Sequence, residues 1–227
     1  MDADLASITL RELNAQLHAL PADTNETYWR VANPGGKHAI ACGLSLPITV
    51  EIDGHVGYYC AGMNSEASVV IHGNAGVGVA ENMMSGAVTV MGDASQAAGA
   101  TGHGGLLVIE GNASARCGIS MKGIDIVVKG SIGPMSAFMA QAGSLVVLGD
   151  AGEALGDSIY EARLFVRGAV KSLGADCVEK PMTAEDRDVL DKVLAKAGIT
   201  DVAADAFRLY GSARTLYHFH VDNVDAY

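Results

Sequence analysis

One glycine returns at a fixed 19-residue interval through the middle of this chain. We call these seven residues the anchor glycines: Gly54, Gly73, Gly92, Gly111, Gly130, Gly149 and Gly168. The residues four and two positions before each anchor are always Val, Ile or Leu. Such a repeat constrains the fold strongly, because every copy must adopt the same local structure and stack on its neighbours.

The five residues before each anchor glycine predict a short β-strand with one aliphatic face. The glycine is expected to adopt a backbone conformation that other residues avoid, so that the chain can turn. A 19-residue unit has no room for a crossover helix. We therefore predict an all-β fold, a single-stranded right-handed parallel β-helix with 19-residue coils, flanked by short helical N- and C-terminal extensions. An antiparallel sandwich is the alternative, but its strands would recur at a shorter spacing of about 8–12 residues.

Three regions are predicted: an N-terminal extension and cap (1–47), the β-helix of glycine repeats (48–170), and a C-terminal helical extension with an aromatic tail (171–227). A capping box at Thr9–Glu12 begins a helix that could cover the open end of the β-helix. Its apolar residues are Leu13, Leu17 and Leu20. Gly35 falls on the 19-residue register with Asn33 in place of an aliphatic residue, which predicts a degenerate first coil.

A second helix is predicted after the repeats, beginning near Pro181 and Thr183 and ending at Gly198. Its apolar face consists of Val189, Leu190, Val193 and Leu194. The tail beyond it is rich in aromatic residues: Phe207, Tyr210, Tyr217, Phe219 and Tyr227. Such a tail either packs on the solenoid or inserts into a partner protein, and the sequence leaves both possibilities open.

Composition excludes some classes of function. A net charge of −11 argues against binding to nucleic acid or to an anionic membrane. The chain has no apolar run of about 20 residues and no visible signal peptide, so a cytoplasmic location is expected. Its four cysteines, Cys42, Cys60, Cys117 and Cys177, form no CxxC pair, and we expect buried thiols rather than a disulfide, zinc or iron–sulfur site.

Residues that could carry chemistry are isolated from one another. The glycine-dense segment 99–105 lacks the GxxxxGK[ST] pattern, and repeat geometry explains its glycines better than nucleotide binding. His218 and His220 would share one face of a strand, but a third metal ligand is missing, so a surface or interface pair is expected. His103 is a lone histidine, and Ser120 and Ser136 have no positioned base. We therefore predict no catalytic, cofactor-binding or metal-binding residue.

Other side chains in the bends suggest surfaces instead of an active centre. Lys122, Arg116 and Glu81 could line a polar surface. The bends also contain several methionines: Met63, Met83, Met84, Met121 and Met139. Methionine usually fills irregular gaps in a core, and a docking surface for another subunit is the alternative.

A scaffold is therefore favoured over an enzyme. A β-helical carbohydrate-active enzyme or acyltransferase would need paired carboxylates or a catalytic histidine along one groove. The carboxylates Asp93, Glu110, Asp125 and Asp150 form no paired column in the predicted bends.

The repeat resembles the GXGXG domain at the C-terminus of the glutamate synthase large subunit. Stand-alone subunits of the GlxC type are more similar still, and this type includes the B subunit of N-methylglutamate synthase, also called methylamine–glutamate N-methyltransferase. The formylmethanofuran dehydrogenase C subunit is a more distant relative. The segments that carry the resemblance are 33–40, 57–63, 80–86, 117–123, 156–162 and 210–214.

The resemblance implies a non-catalytic β-helix subunit in a heteromeric enzyme complex that converts methylamine and glutamate to N-methylglutamate and ammonia. One expected partner is a glutamine-amidotransferase-like subunit, and another is a glutamate-synthase-like subunit that holds FMN and an iron–sulfur cluster. No cofactor is expected on this chain. The same role in a glutamate synthase that uses ammonia from glutamine is the alternative.

Overall fold

The computed structural model describes residues 1–214, which form one 11-stranded sheet and two α-helices. The strands are β1 (Asp2–Asp4), β2 (Tyr28–Ala32), β3 (Thr49–Asp53), β4 (Ser68–Ile71), β5 (Ala87–Val90), β6 (Leu106–Ile109), β7 (Lys122–Val128), β8 (Ala142–Val147), β9 (Arg163–Val166), β10 (Cys177–Lys180) and β11 (Arg208–Ser212). The helices are α1 (Leu10–His18) and α2 (Ala184–Lys196), with a short 3₁₀ turn at Ala204–Ala206.

The sheet follows the order of the sequence until its last two strands, where β11 lies between β9 and β10. Each strand from β1 to β9 pairs in parallel with the next. From β3 to β9 the aliphatic partners keep the 19-residue spacing, as in Val50 with Val69 and Ile52 with Ile71. The predicted strands and the parallel solenoid are therefore confirmed, and the antiparallel sandwich is excluded.

The first coil differs from its predicted register. Val31 of β2 pairs with Ile52 of β3, so this coil is longer by two positions than the 19-residue coils that follow. Gly35 is therefore not an anchor equivalent. Ala32 pairs with Asp53, so Asn33 follows β2 just as Gly54 follows β3, and Asn33 has a φ of 53°. Asparagine tolerates this left-handed region better than most residues do, which explains its presence at this turn.

Aliphatic side chains fill the interior of the solenoid. Both repeated strand positions are completely buried in every coil, for example Val50 and Ile52. A second, narrower parallel ladder runs along the residues two positions after the anchors: Val56, Ala75, Ala94, Ala113, Ile132, Ala151 and Val170. These bridges pair the coils a second time, so successive coils are joined on both sides of the anchor glycine.

The anchor glycines serve a different purpose from the one that the sequence suggested. Only Gly54, with a φ of 135°, has a positive φ among the seven. A methyl group on Gly73 would lie 2.6 Å from the carbonyl carbon of Gly54, and one on Gly149 would lie 2.6 Å from the carbonyl oxygen of Gly130. Glycine is needed at the six later anchors because the backbones of neighbouring coils approach too closely for any side chain, whereas at Gly54 the positive φ favours it.

Left-handed backbone occurs instead in the bends that follow the anchors from Gly54 to Gly149. The residues five, seven and nine positions after Gly73, namely Gly78, Ala80 and Asn82, all have positive φ, and the same positions repeat it in the later coils as far as the one that begins at Gly149. The N–H groups of Gly78 and Asn82 donate to the next coil, whereas that of Ala80 donates to the preceding one. Each bend is therefore hydrogen-bonded on both sides, although it contains no regular strand.

Helix α1 covers the first bend and completes this pattern. The predicted capping box forms between Thr9 and Glu12. Leu13 and Leu17 are buried against the core. The Ala41 N–H has no preceding coil to bond, and it donates instead to Asn14 Oδ1 at 3.0 Å. The helix thus replaces the missing neighbour at this end of the stack.

The C-terminal region covers the other end and part of the outer sheet face. Helix α2 begins after Thr183, as predicted, and buries Leu190, Val193 and Leu194. These side chains form a second core with outward-facing strand residues such as Val127 and Phe165.

Strand β11 is antiparallel to β9, and β10 pairs antiparallel with β11, which ends the parallel stack. Phe207 and Tyr210 are buried, so this part of the aromatic tail packs on the solenoid. Tyr217, Phe219 and Tyr227 lie outside the described residues.

Candidate functional site

A ladder of polar side chains follows the anchor glycines along the solenoid. It consists of the residues directly after the anchors: His55, Asn74, Asp93, Asn112, Ser131 and Asp150. Each of these side chains accepts a hydrogen bond from the backbone N–H of the equivalent residue in the next coil, at 2.7–2.9 Å. Asp93 and Asp150 therefore lie on the same ladder, but three coils apart, so they form no pair, in agreement with the prediction for these carboxylates.

This column is not suited to the hydrolysis of a sugar. Asp93 and Asp150 are three coils apart, or roughly 14 Å at the spacing of a β-sheet. Paired carboxylates in glycosidases are separated by about 5–9.5 Å. Glu110 and Asp125 lie on the outer strand face instead, where they pair with Lys129 at 2.7 Å and Lys196 at 3.1 Å. The geometry of these four carboxylates argues against the carbohydrate-active alternative.

Methionines in the bends divide into two groups by position. Met83 and Met121, ten residues after their anchors, are completely buried in the core. Met63 and Met139, nine residues after theirs, are 57% and 41% exposed, and Met84 is 50% exposed. Core packing therefore explains the first group, and the second group forms part of the molecular surface.

Two consecutive tyrosines add to the exposed apolar surface near Met63. Tyr58 and Tyr59 are each about half exposed. The ring of Tyr58 stacks on His38 with 4.5 Å between centroids, and the Tyr58 N–H donates to His38 Nδ1 at 2.9 Å. Sequence reasoning did not single out these tyrosines. The signal was present, because bend positions that hold no aromatic residue in the later coils hold two tyrosines here.

The charged bend residues also differ from one another. Arg116 and Lys122 are exposed to solvent. Glu81 is half-buried, and burial raises the pKa of its carboxyl group. Within residues 1–214 no basic side chain forms a hydrogen bond or an ion pair with the Glu81 carboxylate.

The glycine-dense segment 99–105 is explained by packing and turns. Gly99 and Gly105 have positive φ, and a methyl group on Gly102 would lie 2.9 Å from Ile124. These glycines admit close neighbours and left-handed backbone, as the repeat predicts. Ser136 is buried, and its hydroxyl donates to the Gly133 carbonyl at 2.9 Å.

No group of three or more His, Cys, Asp or Glu side chains within the described part of the chain is placed to hold a metal ion. His103 is exposed on a bend. His218 and His220 lie outside the described residues.

All four cysteines are free thiols, and three of them are buried. Burial raises the pKa of Cys117 to about 12 and the pKa of Cys177 to about 11. Burial likewise raises the pKa of Cys60. The thiolate is the reactive form, so these groups are chemically inert in the folded protein.

An open groove of about 510 Å³ lies where β9, β11 and the start of α2 meet. Arg163, on its wall, is paired with Glu185 at 2.7 Å and with Asp186 at 3.0 Å. Burial would raise the pKa of Asp186, but hydrogen bonds from Thr183 and the charge of Arg163 outweigh it and lower the pKa. The charges in this groove thus join α2 to the sheet.

Nowhere in residues 1–214 is there a helix with the length and apolar character needed to cross a bilayer.

These features define a class of protein: a β-solenoid with a filled aliphatic interior, a structural polar ladder, and bends that present tyrosine and methionine to solvent. The chain is 63% identical to the protein named GlxC from Rhizobium meliloti (strain 1021) over 224 residues, which is 99% of this chain and 98% of the relative. It therefore belongs to the GlxC family. No family model matches the chain, and no solved structure matches it.

Proposed function

We propose that this chain is the non-catalytic structural subunit of a heteromeric N-methylglutamate synthase (methylamine–glutamate N-methyltransferase). In this proposal it bridges a glutamine-amidotransferase-like subunit and a glutamate-synthase-like subunit that holds FMN and an iron–sulfur cluster. It also helps to form the route along which the amine or ammonia passes between them.

The observation that carries the proposal is the combination of a rigid solenoid with large apolar side chains left exposed on its bends. Met63, Met84 and Tyr59 are each about half exposed, and methionine and tyrosine are enriched at protein interfaces. The 63% identity to a GlxC protein also supports a structural role in such a complex, because the GlxC type resembles the GXGXG domain of glutamate synthase.

The shape of the solenoid suits this role. Ten inter-strand steps of about 4.8 Å give a sheet roughly 48 Å long. Two active centres that exchange a small amine must be held at a fixed separation, since an intermediate released to water diffuses away. A stack of hydrogen-bonded coils is a stiff spacer, and its bends can vary without disturbing the ladder.

The first test uses the purified chain alone. We expect neither glutaminase activity nor transfer of methylamine to glutamate from the isolated protein. Measurable turnover of either reaction by this chain would refute the structural role.

The second test is co-expression with two partners from the same genome. One is the glutamine-amidotransferase-like subunit, and the other is the subunit expected to hold FMN and an iron–sulfur cluster. We expect a stable complex that requires this chain and forms N-methylglutamate from methylamine and glutamate. A complex that makes glutamate from glutamine and ignores methylamine would favour the glutamate synthase alternative. Failure of either partner to copurify would contradict the bridging role.

A further inference from the structure

A compact surface at the N-terminal end of the bends combines aromatic and apolar side chains with one carboxylate. We call it the Tyr59 patch, formed by Tyr58, Tyr59, Met63 and Glu81. A methyl group on Gly78 would lie 2.7 Å from Glu81 Oε2 and 2.8 Å from Tyr59 Cδ1. The carboxylate and the ring therefore both lie close to Gly78, which leaves room for them because it has no side chain.

Backbone contacts hold the other members of the patch in place. The Met63 N–H donates to the Glu81 carbonyl at 2.7 Å, which links the two coils beside the carboxylate. Tyr59 and Met63 both have positive φ, so the alternating bend conformation sets the direction of their side chains. Tyr58 is fixed at the edge by its stacking on His38.

The carboxylate of Glu81 differs from Glu153 and from the carboxylates of the ladder. Glu153 pairs with Lys171 at 2.8 Å, and the ladder carboxylates accept backbone N–H groups. Glu81 is partly desolvated, and this burial is the cause of its raised pKa, with no basic side chain in the described residues to compensate it. A desolvated charge next to exposed apolar groups is costly unless a cation completes the pair.

We infer that the Tyr59 patch is a docking site for an arginine side chain of a partner protein. The guanidinium donates two hydrogen bonds to the Glu81 carboxylate, and its plane stacks on the ring of Tyr59. The methylene groups of the same arginine contact Met63. Arginine fits this arrangement better than lysine, because a planar guanidinium stacks on aromatic faces and donates two parallel hydrogen bonds. The net charge of −11 further favours a basic partner surface.

The first experiment is independent of any particular partner. The full chain is labelled with ¹³C in its methionine methyl groups, and end-blocked Gly-Arg-Gly, Gly-Lys-Gly and Gly-Glu-Gly are titrated into it. We expect the Met63 methyl signal to shift about threefold more with the arginine peptide than with the glutamate peptide, as for a weak exposed ion pair. Glu81→Gln should remove this difference, whereas Glu66→Gln, at an exposed bend position in the coil of Met63, should retain it.

Equal shifts with all three peptides, or an arginine effect that survives Glu81→Gln, would overturn the inference. Circular dichroism of each variant establishes that it is folded, and Glu81→Asp provides a second variant that keeps the charge while shortening its reach.

The second experiment rests on the proposed function and uses the co-expressed complex. Glu81→Arg should weaken association about tenfold, whereas Glu66→Arg should leave it unchanged. Reversal of one surface arginine of a partner to glutamate should restore binding of the Glu81→Arg chain. If the wild-type complex forms but Glu81→Arg has no effect, the inference fails while the bridging role stands. If no complex forms, the bridging role fails, and the peptide titration alone decides the inference.

Discussion

Replacing an anchor glycine by alanine tests the close approach of the coils. A methyl group on Gly111 would collide with Asp93 Oδ1, and it would lie 2.8 Å from the Gly92 carbonyl oxygen and 3.0 Å from the Gly92 carbonyl carbon. A side chain can rotate away, but the backbone of the preceding coil cannot move without breaking its own ladder. Gly111→Ala must therefore separate two coils locally.

The expected loss follows from three contributions. Overpacking costs about 1–3 kcal/mol. The substitution would also strain two inter-coil hydrogen bonds, from the Gly111 N–H to Gly92 O at 3.0 Å and from the Asn112 N–H to Asp93 Oδ1 at 2.7 Å. Weakening these bonds adds about 1–3 kcal/mol to the loss of stability. The reduced entropy of the unfolded chain offsets about 0.4–1 kcal/mol. Together these contributions predict that the free energy of unfolding falls by about 1–5.6 kcal/mol, with a central value of about 3 kcal/mol.

Urea unfolding measures this loss by circular dichroism and by the fluorescence of Trp29, the chain's one tryptophan, which is buried in β2. The matched control is Gly211→Ala, since Gly211 lies in a strand without positive φ and its nearest neighbour would be Lys180 Cδ at 3.4 Å. The control should be neutral or slightly stabilising.

A second background, Asp93→Ala, removes the side-chain collision together with the acceptor of the Asn112 N–H, and it leaves the backbone contacts. Gly111→Ala should cost less in the Asp93→Ala background than in the wild type, but it should still be destabilising there. Equal unfolding midpoints for Gly111→Ala and Gly211→Ala would refute the account of the anchors as close-approach positions.

Three further predictions concern the ladder, the C-terminal helix and the thiols. Asn112→Ala leaves the Ser131 N–H without its acceptor at 2.9 Å and should lower the free energy of unfolding by about 1–2 kcal/mol, as urea titration would measure. Asn112→Ser should cost less, because a serine hydroxyl is the ladder acceptor in the next coil, where Ser131 Oγ accepts from the Asp150 N–H at 2.9 Å. The pKa of Asp186 is lowered in the folded state, so the stabilisation that this carboxylate contributes is present above its unfolded pKa and is lost as the pH falls through the folded pKa. The difference in free energy of unfolding between the wild type and Asp186→Asn should therefore shrink below about pH 4. A difference that stays constant with pH would contradict the lowered pKa. Cys117, with its pKa raised to about 12, should resist iodoacetamide at about pH 8 until urea unfolds the chain, as peptide mass mapping would show.

Most of the fold was predictable because the repeat is expressed in residues that are adjacent in sequence. The strand positions, the buried faces of Val50 and Ile52, and the capping box at Thr9–Glu12 all depend on local patterns, and all are confirmed. The register of the first coil was not predictable in this way. Its greater length displaces β2 from the 19-residue spacing, and only its pairing with β3 shows that Val31 is the partner of Ile52.

The candidate site was predictable in part. Met63 is exposed and Met83 is buried, although their positions in the bend differ by only one residue. The direction of each side chain follows from the alternating left-handed backbone, which residue propensities alone do not indicate. The polar ladder could have been found by reading the residue after each anchor, because His, Asn, Asp and Ser recur there. That Glu81 has no basic partner among the described residues could not be inferred, since the side chains that could pair with it are distant in sequence.

The sequence by itself determined that this chain stacks in 19-residue coils around an aliphatic interior, because a strict period allows only a structure that repeats with it. The tertiary structure decided why the six later anchors must be glycine and which side chains lie exposed on the surface. Those properties depend on distances between coils, such as the 2.6 Å that a methyl group on Gly149 would leave to Gly130, and such distances exist only once the coils are stacked.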